Sequence, residues 1–500
     1  MENILLGFET AFSLTNIIFC FAGVFIGTFI GVLPGIGSLA AVSMLLPITF
    51  YLDPATALIM LGGIYYGAEY GGSTASILLN LPGTPSNAVT CLDGYPMAKN
   101  GRAGVALFTT SIASFIGGSF GIIVLMFLTP QVVAFSLTFG PAEYFAVLLF
   151  GLLAAGAVAQ GSVIKGLAMV GLGMLLGTIG ADVNSGAIRY TFGLYDLYDG
   201  ISIVIIAMGL FGISEVIASV NSSKHDAAQQ VTLRSLIPNR EEARRSVMPI
   251  VRGMSIGSLL GPLPGTGPSI SAFLSYVVEK KISKDPSRFG NGAIEGVASP
   301  EASNNASVQT AFIPTLALGI PGSATMALML GALMLHGIAP GPTLMTDYPD
   351  LFWGVIASFW IGNLMLLVLN VPLIGIWVRL LNIPYALLYP GIVCLICIGV
   401  FSVHNSPFDV ALLLVVGALG YGMRLLSFEP APLLIGFILG PLLEENLRRA
   451  LLISNGDFLA LFMRPVSGSL LAIAILIVAF MAYTNIRRYR EQRRAEAAKA

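Results

Sequence analysis

The sequence predicts an all-α polytopic membrane protein, with about 10–14 transmembrane or discontinuous helices in two inverted-topology repeats. Three observations carry that expectation. Of 500 residues, 56% are hydrophobic and only 10% charged, where soluble domains carry about 25% charged residues. Apolar windows long enough for a membrane helix recur from one end to the other. Proline-glycine interruptions also recur in the same order in both halves. The mean hydropathy of +0.85 agrees. A net charge of −1 leaves no basic face large enough to offset phosphates, which argues against nucleic acid.

Along the chain, continuous spans are expected near 11–31, 104–128, 142–159, 165–180 and 201–219. The opening residues lack the charged start and small-residue cleavage site of a signal peptide, so the first span is expected to stay. The polar stretch "NSSKHDAAQQVTLRSLIPNREEARR" follows, then apolar segments near 246–262, 351–379, 384–402, 408–426, 430–443 and 466–484. The expected organisation is a first membrane repeat over 1–220, a cytoplasmic linker over 221–245, and a second, inverted repeat over 246–465. Residues 466–500 supply a last transmembrane helix and a basic cytoplasmic tail. Regions 33–98 and 263–345 resist division into spans, because Gly, Pro, Ser, Thr and Asn cut their apolar runs repeatedly. Cys394 and Cys397 form a CxxC in an apolar stretch, where thiols act as small packing residues.

Those two regions hold the repeat. "GVLPGIGS" at 31–38 pairs with "GPLPGTGP" at 261–268, and "LPGTPSNA" at 81–88 with "IPGSATMA" at 320–327. Between the breaks, "GAEYGGSTAS" loosely matches "SPEASNNAS", setting Glu69 opposite Glu301. Basic residues orient the halves, since Lys and Arg in short loops favour the cytoplasmic side. In the first half the loop after the first break ends near Asp53 without a base, and the loop after the second reaches Lys99 and Arg102. In the second half the order reverses. Lys280, Lys281, Lys284 and Arg288 follow the first break, and Asp347 and Asp350 the second. Equivalent loops are therefore expected on opposite sides, with the linker and the tail arginines Arg487, Arg488, Arg490, Arg493 and Arg494 inside. Arg448 and Arg449 fall on the outer side in this scheme unless their segment is an amphipathic helix or the count of spans near 430–465 differs.

Backbone that leaves the helix at membrane depth must be buried in protein or line a wet cavity. Each break is followed by a fresh apolar run, so a new helix is expected to start there with its amides and positive dipole end facing the interruption. Such ends attract anions. The substrate-binding candidates are therefore Gly35, Gly37, Ser38, Gly83, Thr84, Ser86, Gly265, Thr266, Gly267, Ser269, Gly322 and Ser323. Cation-binding candidates are Asn80, Asn87, Asn304, Asn305, Thr325, Glu69 and Glu301, since oxygen-rich side chains suit hard cations and intramembrane carboxylates are costly without a role. Close helix packing is the better explanation of any single Gly or Ser, but packing does not require two Pro-Gly breaks in each half. His225, His336 and His404 lack a second ligand at metal spacing, so no metal beyond sodium is expected. No HExxH, GxxxxGK[ST] or Ser/His pair stands in the broken segments, so an enzyme is not expected.

"GVLPGIGSLAAVSMLLPITF", "GIYYGAEYGGSTASILLNLPGTPSNAVTCLDGYPMA", "FGNGAIEGVASPEASNNAS" and "LGIPGSATMALMLGAL" closely resemble the large membrane subunit of bacterial tripartite tricarboxylate transporters, the TctA family. "FGPAEYFAVLLFG" and "ENLRRALLISNGD" extend the resemblance over nearly the whole chain. It implies a multi-pass secondary transporter of the bacterial inner membrane. Its implied partners are a small four-helix membrane subunit and a periplasmic solute-binding protein that delivers a di- or tricarboxylate or related organic acid. Because the four broken stretches contain no Lys or Arg, cation coupling is expected, with sodium favoured over protons and no other cofactor. A passive anion channel or facilitator is the alternative.

Overall fold

The computed structural model describes residues 2–158, 162–182, 185–219, 233–381 and 385–479. His225, the first part of the linker (221–232) and the arginine tail lie outside them. Helices dominate, and among the described residues the one strand pair joins Gly180–Ala181 to Ile188–Arg189, antiparallel, with Gly180 opposite Arg189. Four helical stretches are long and apolar enough to cross a membrane: Leu14–Val32, Thr90–Ser136, Pro349–Asn370 and Pro407–Leu425. Shorter apolar helices accompany them, including Gly37–Thr49, Val163–Gly177, Ile203–Ser219 and Ala324–Leu335. The protein is thus an all-α, multi-pass membrane protein. It forms two compact units, Met1–Leu137 with Ser202–Leu425, and Thr138–Ile201 with Leu426–Ala500.

The larger unit contains the repeat. Its first copy runs through Leu14–Val32, Gly37–Thr49, Pro54–Leu79, Thr90–Met97 and Ala103–Ser136. The second runs through Arg240–Leu260, Gly267–Ile282, Glu295–Leu318 (interrupted at Ala311), Ala324–Leu335 and Pro349–Asn370. A glycine ladder fixes the correspondence. A Cβ on Gly23, Gly27 or Gly31 would lie 2.4, 2.3 and 2.3 Å from the carbonyl oxygens of Met60, Ile64 and Ala68. On Gly253, Gly257 and Gly261 it would lie 2.1, 2.1 and 2.6 Å from those of Ser299, Ser303 and Ser307. Both helix pairs run parallel, backbone against backbone, which only glycine permits at that separation.

The last helices of the two copies run in opposite directions. Ser111 donates to the Asn370 carbonyl at 3.4 Å, Asn363 Nδ2 to the Phe115 carbonyl and Ser119 at 3.0 Å each, and Trp360 contacts Met126 Sδ at 3.2 Å. As one numbering rises the other falls, so the repeats are inverted. The loops agree. Arg102 of the first copy and Arg288 of the second line one cavity of about 180 Å³, together with Glu242 and Arg245. Asp53 and Asp350 line another of about 450 Å³, with Asn16 and Tyr348. The Pro54–Leu79 helix separates the two ends; its 26 residues span about 39 Å at 1.5 Å per residue, enough for a hydrocarbon core of about 30 Å.

Two expectations change. Region 33–98 reads as heavily broken, yet Pro54–Leu79 is one continuous helix. Its Gly63, Gly67 and Gly71 serve close contact with Leu14–Val32, where added Cβ atoms would lie 3.1, 2.5 and 2.4 Å from backbone atoms of Val24 and Thr28. Conversely, the span expected over 351–379 ends at Asn370 and resumes as Ile374–Leu380, because Pro372 cannot continue the ladder.

In the smaller unit, Ala431–Ile453 is a single helix and pairs both Arg448 and Arg449 with acids. Arg448 meets Glu444 at 2.6 Å and Asp182 at 3.2 Å, and Arg449 pairs with Glu445. Arg189 meets the same Asp182 at 2.9 Å and Glu444 at 3.0 Å. Val163–Gly177 packs on this helix as tightly as the glycine ladder does, with a Gly173 Cβ only 2.0 Å from the Leu433 carbonyl.

Candidate functional site

The two first breaks share a left-handed backbone conformation at both glycines. Gly35 and Gly37 have φ of +89° and +76°, and Gly265 and Gly267 have +82° and +55°, a region in which a Cβ is disfavoured. The turn ends in a new helix at Gly37 and at Gly267. Neither helix start has a side-chain cap, so its first amides are offered to the site.

The second breaks also match. Asn80 (φ +58°) and Gly319 (φ +69°) close the preceding helices in left-handed geometry, and Pro82 and Pro321 follow two residues later. Each first break is tied to its own second break, by Gly35 N donating to the Pro82 carbonyl at 3.4 Å and Gly265 N to that of Gly322 at 3.0 Å. Ser323 caps Ala324–Leu335 by accepting from Met326 N.

Beside the first-copy turns lies a buried polar network drawn from both copies. Glu69, 3% exposed, accepts from Ser38 at 2.8 Å and Thr84 at 3.0 Å, and from Ser86. Asn304 of the second copy stands beside it. Glu301, 1% exposed, accepts from Asn87 at 3.2 Å, Thr90 at 2.5 Å and Ser114 at 3.4 Å. Asn305 donates to Ser114 at 2.7 Å. The Oδ1 atoms of Asn304 and Asn305, both buried, have no hydrogen bond of ordinary geometry among the described residues. The ion pairs of the described residues lie elsewhere, on carboxylates such as Glu242, Glu279 and Glu295, and none involves Glu69 or Glu301. Two carboxylates taken out of water without a base demand compensation by protons, by a bound cation, or by dense hydrogen bonding.

The candidate residues divide between turns and network. Gly35, Gly37, Gly83, Gly265, Gly267 and Gly322 shape the four turns, while Ser38, Glu69, Thr84, Ser86, Asn87, Glu301, Asn304 and Asn305 form the network. Others serve locally. Thr266 donates to the Leu260 and Leu263 carbonyls at 2.6 and 2.8 Å, Ser269 is half-buried, and Thr325 is buried in the helix that Ser323 caps. Asn80 is exposed, and its backbone makes the turn.

One pairing from the sequence is corrected. The glycine ladder aligns 60, 64 and 68 with 299, 303 and 307, an offset that sets Glu69 opposite Val308 and Glu301 opposite Gly62. The carboxylates are not counterparts; each copy brings one at a different level.

Sequence reasoning missed Thr90, Ser114, Tyr66, Tyr70, Asn363 and Asp93. Tyr66 and Tyr70 both donate to Asn363 Oδ1, at 2.8 and 2.6 Å, and a lone Asn in the apolar "WIGNLMLL" was the available signal. Asp93 is fully buried. Its Oδ1 accepts backbone N–H groups of Gly290, Gly292 and Ala293 at 2.8–2.9 Å, and its Oδ2 accepts the Tyr276 hydroxyl at 2.9 Å.

The geometry defines a multi-pass membrane protein of the inverted-repeat, broken-helix class, with a polar centre built from both copies. The profile of the tripartite tricarboxylate transporter TctA family matches residues 17–435, and the chain belongs to that family. It is 50% identical over 492 residues, 98% of each chain, to an uncharacterized 52.8 kDa protein in the TAR-I ttuC′ 3′ region of Agrobacterium vitis. An uncharacterized protein in the TAR-II ttuC′ 3′ region of the same organism is 55% identical over 236 residues, 47% of this chain and 98% of that one. No solved structure matches.

Proposed function

We infer that this chain is the translocating subunit of a secondary active uptake system in the bacterial inner membrane. A periplasmic binding protein delivers a di- or tricarboxylate or related organic acid, and a small four-helix membrane subunit completes the assembly. The substrate rests on the uncapped amides at Gly37 and Gly267 and on the hydroxyls beside them, and a co-transported cation offsets charge in the Glu69–Glu301 network. Family membership supports the tripartite assembly.

The observation that carries cation coupling is the pair of buried carboxylates, linked through Thr84 and Asn87, with no base on either. Sodium is favoured over protons because Asn, Ser and Thr oxygens surround both carboxylates, and hard cations take oxygen ligands. Inverted repeats then supply alternating access by movement of one part of the repeat core against the rest.

The test is uptake of labelled carboxylates into proteoliposomes holding the full assembly, with imposed sodium or proton gradients. Accumulation that follows the sodium gradient is expected, and Glu301→Gln should remove that dependence. Uptake that is equally fast and never concentrative with both gradients collapsed identifies a passive facilitator and refutes coupling.

A further inference from the structure

The four breaks contain no Lys or Arg, yet one guanidinium lies a single carboxyl group away from the first of them. The point at which Gly35 would carry a Cβ has one heavy atom within 4 Å, Oε1 of Glu215 at 3.9 Å. The other oxygen of that carboxylate, Oε2, accepts from Arg424 Nη1 at 2.5 Å, and Ser219 donates to Oε1 at 3.3 Å. Glu215 starts the last turns of the Ile203–Ser219 helix, and Arg424 stands in the last turn of Pro407–Leu425.

This pair is gripped less fully than two others of its unit, and like Arg102 on Glu242 it uses one guanidinium nitrogen. Arg252 and Arg245 each grip a carboxylate with two nitrogens, Arg252 on Glu279 at 2.9 and 2.5 Å and Arg245 on Glu295 at 2.8 and 2.5 Å. Arg424 reaches Glu215 through one nitrogen, and its side chain is 51% exposed where that of Glu215 is 17% exposed. A guanidinium has five N–H donors arranged to match a carboxylate in a two-pronged fork.

Resting on the carboxylate-uptake reading above, the geometry points to Arg424 as a substrate-carboxylate receptor beside the first break, occupied in the empty protein by Glu215 as an internal stand-in. An arriving organic acid exchanges one carboxylate for another on the same guanidinium. Glu215 is then a competitor that weakens binding and eases release, and Arg424 favours substrates with a carboxylate to spare beyond the one held at the helix starts.

The test uses the full chain in lipid nanodiscs, titrated with citrate, succinate and benzoate at fixed sodium. Arg424→Gln should weaken citrate binding about 10-fold, the order expected of a charge-assisted hydrogen bond, with less effect on benzoate. Glu215→Gln should tighten it roughly 3- to 10-fold by removing the competitor. The double variant should bind like Arg424→Gln, because Glu215 acts only through Arg424. Single variants that leave the Kd unchanged or shift it in the same direction would make the pair a structural clip and overturn the proposal. So would a double variant that keeps the Glu215→Gln gain. If Glu215→Gln does not fold, Arg424→Lys decides, with a Kd closer to wild type than that of Arg424→Gln expected and equal losses overturning the proposal. Failure of the wild-type protein to bind any of the three acids overturns the carboxylate reading itself, and this proposal with it.

Discussion

Gly83 and Gly322 occupy equivalent places in the two second breaks, but the space beside them differs. A Cβ on Gly83 would lie 2.0 Å from the Gly31 carbonyl oxygen and 2.4 Å from Gly72 Cα. On Gly322 it would lie 3.3 Å from the Gly261 carbonyl oxygen and 3.5 Å from Ala311 Cβ. Gly31 and Gly261 are counterparts, as are Gly72 and Ala311, so the comparison is internally controlled. The first copy is tighter because a Cβ on Gly72 would itself strike Asn87 Oδ1 at 2.0 Å. Gly83→Ala therefore overlaps backbone by more than an ångström, and such overpacking costs about 1–3 kcal/mol. If that cost falls on the conformation that binds substrate, it amounts to roughly a 5- to 150-fold loss of affinity. Gly322→Ala needs an adjustment of a few tenths of an ångström, offset by about 0.4–1 kcal/mol from reduced freedom of the unfolded chain. Initial uptake rates in proteoliposomes and thermal midpoints in detergent should show Gly83→Ala strongly impaired and Gly322→Ala near wild type. Equal tolerance at both positions, or greater damage at Gly322, would refute the packing argument.

Two further substitutions test the supporting polar contacts. Asp93→Ala leaves three N–H groups without their acceptor, of which that of Ala293 is buried and costs about 1–3 kcal/mol when unpaired, and should lower the thermal midpoint. Asp93→Asn keeps one acceptor oxygen and should lose much less; equal midpoints for the two variants would contradict the clasp. Asn363→Leu strands the Tyr66 and Tyr70 hydroxyls at a similar cost per group, whereas the double variant Tyr66→Phe/Tyr70→Phe in the Asn363→Leu background should regain stability, as chemical denaturation can measure.

Much of this architecture was legible because the physics that produces it is local. A Pro-Gly pair ends a helix wherever it stands, so all four breaks were visible in the sequence, and Asp53 against Lys99 announced the inversion. The composition of Pro54–Leu79 misled for a related reason. Glycine inside a membrane helix serves close approach as readily as interruption, and the partner backbone at Gly23, Gly27 and Gly31 decides which. The relation of Glu69 to Glu301 was hidden because the numerical offset between copies changes from 230 at Gly31 and Gly261 to 239 at Ala68 and Ser307. Asp93 gave no signal, since its acceptor geometry is completed by amides 197–200 residues away.

That change of offset has an evolutionary consequence. It amounts to nine more residues in the second copy than in the first between the second and third helices, and the longer connection contains Gly290, Gly292 and Ala293, whose amides Asp93 grasps. Asp93 aligns with Ala332, an apolar residue, so the clasp exists once and has no mirror image at the opposite end. Two descendants of one ancestral unit have thus kept the same backbone contacts while dividing the labour. Each contributes its own acid at its own depth, and the longer connection of the second copy ties the pair together on the arginine-lined side. A membrane protein built from two like halves acquires by such steps a distinguishable top and bottom.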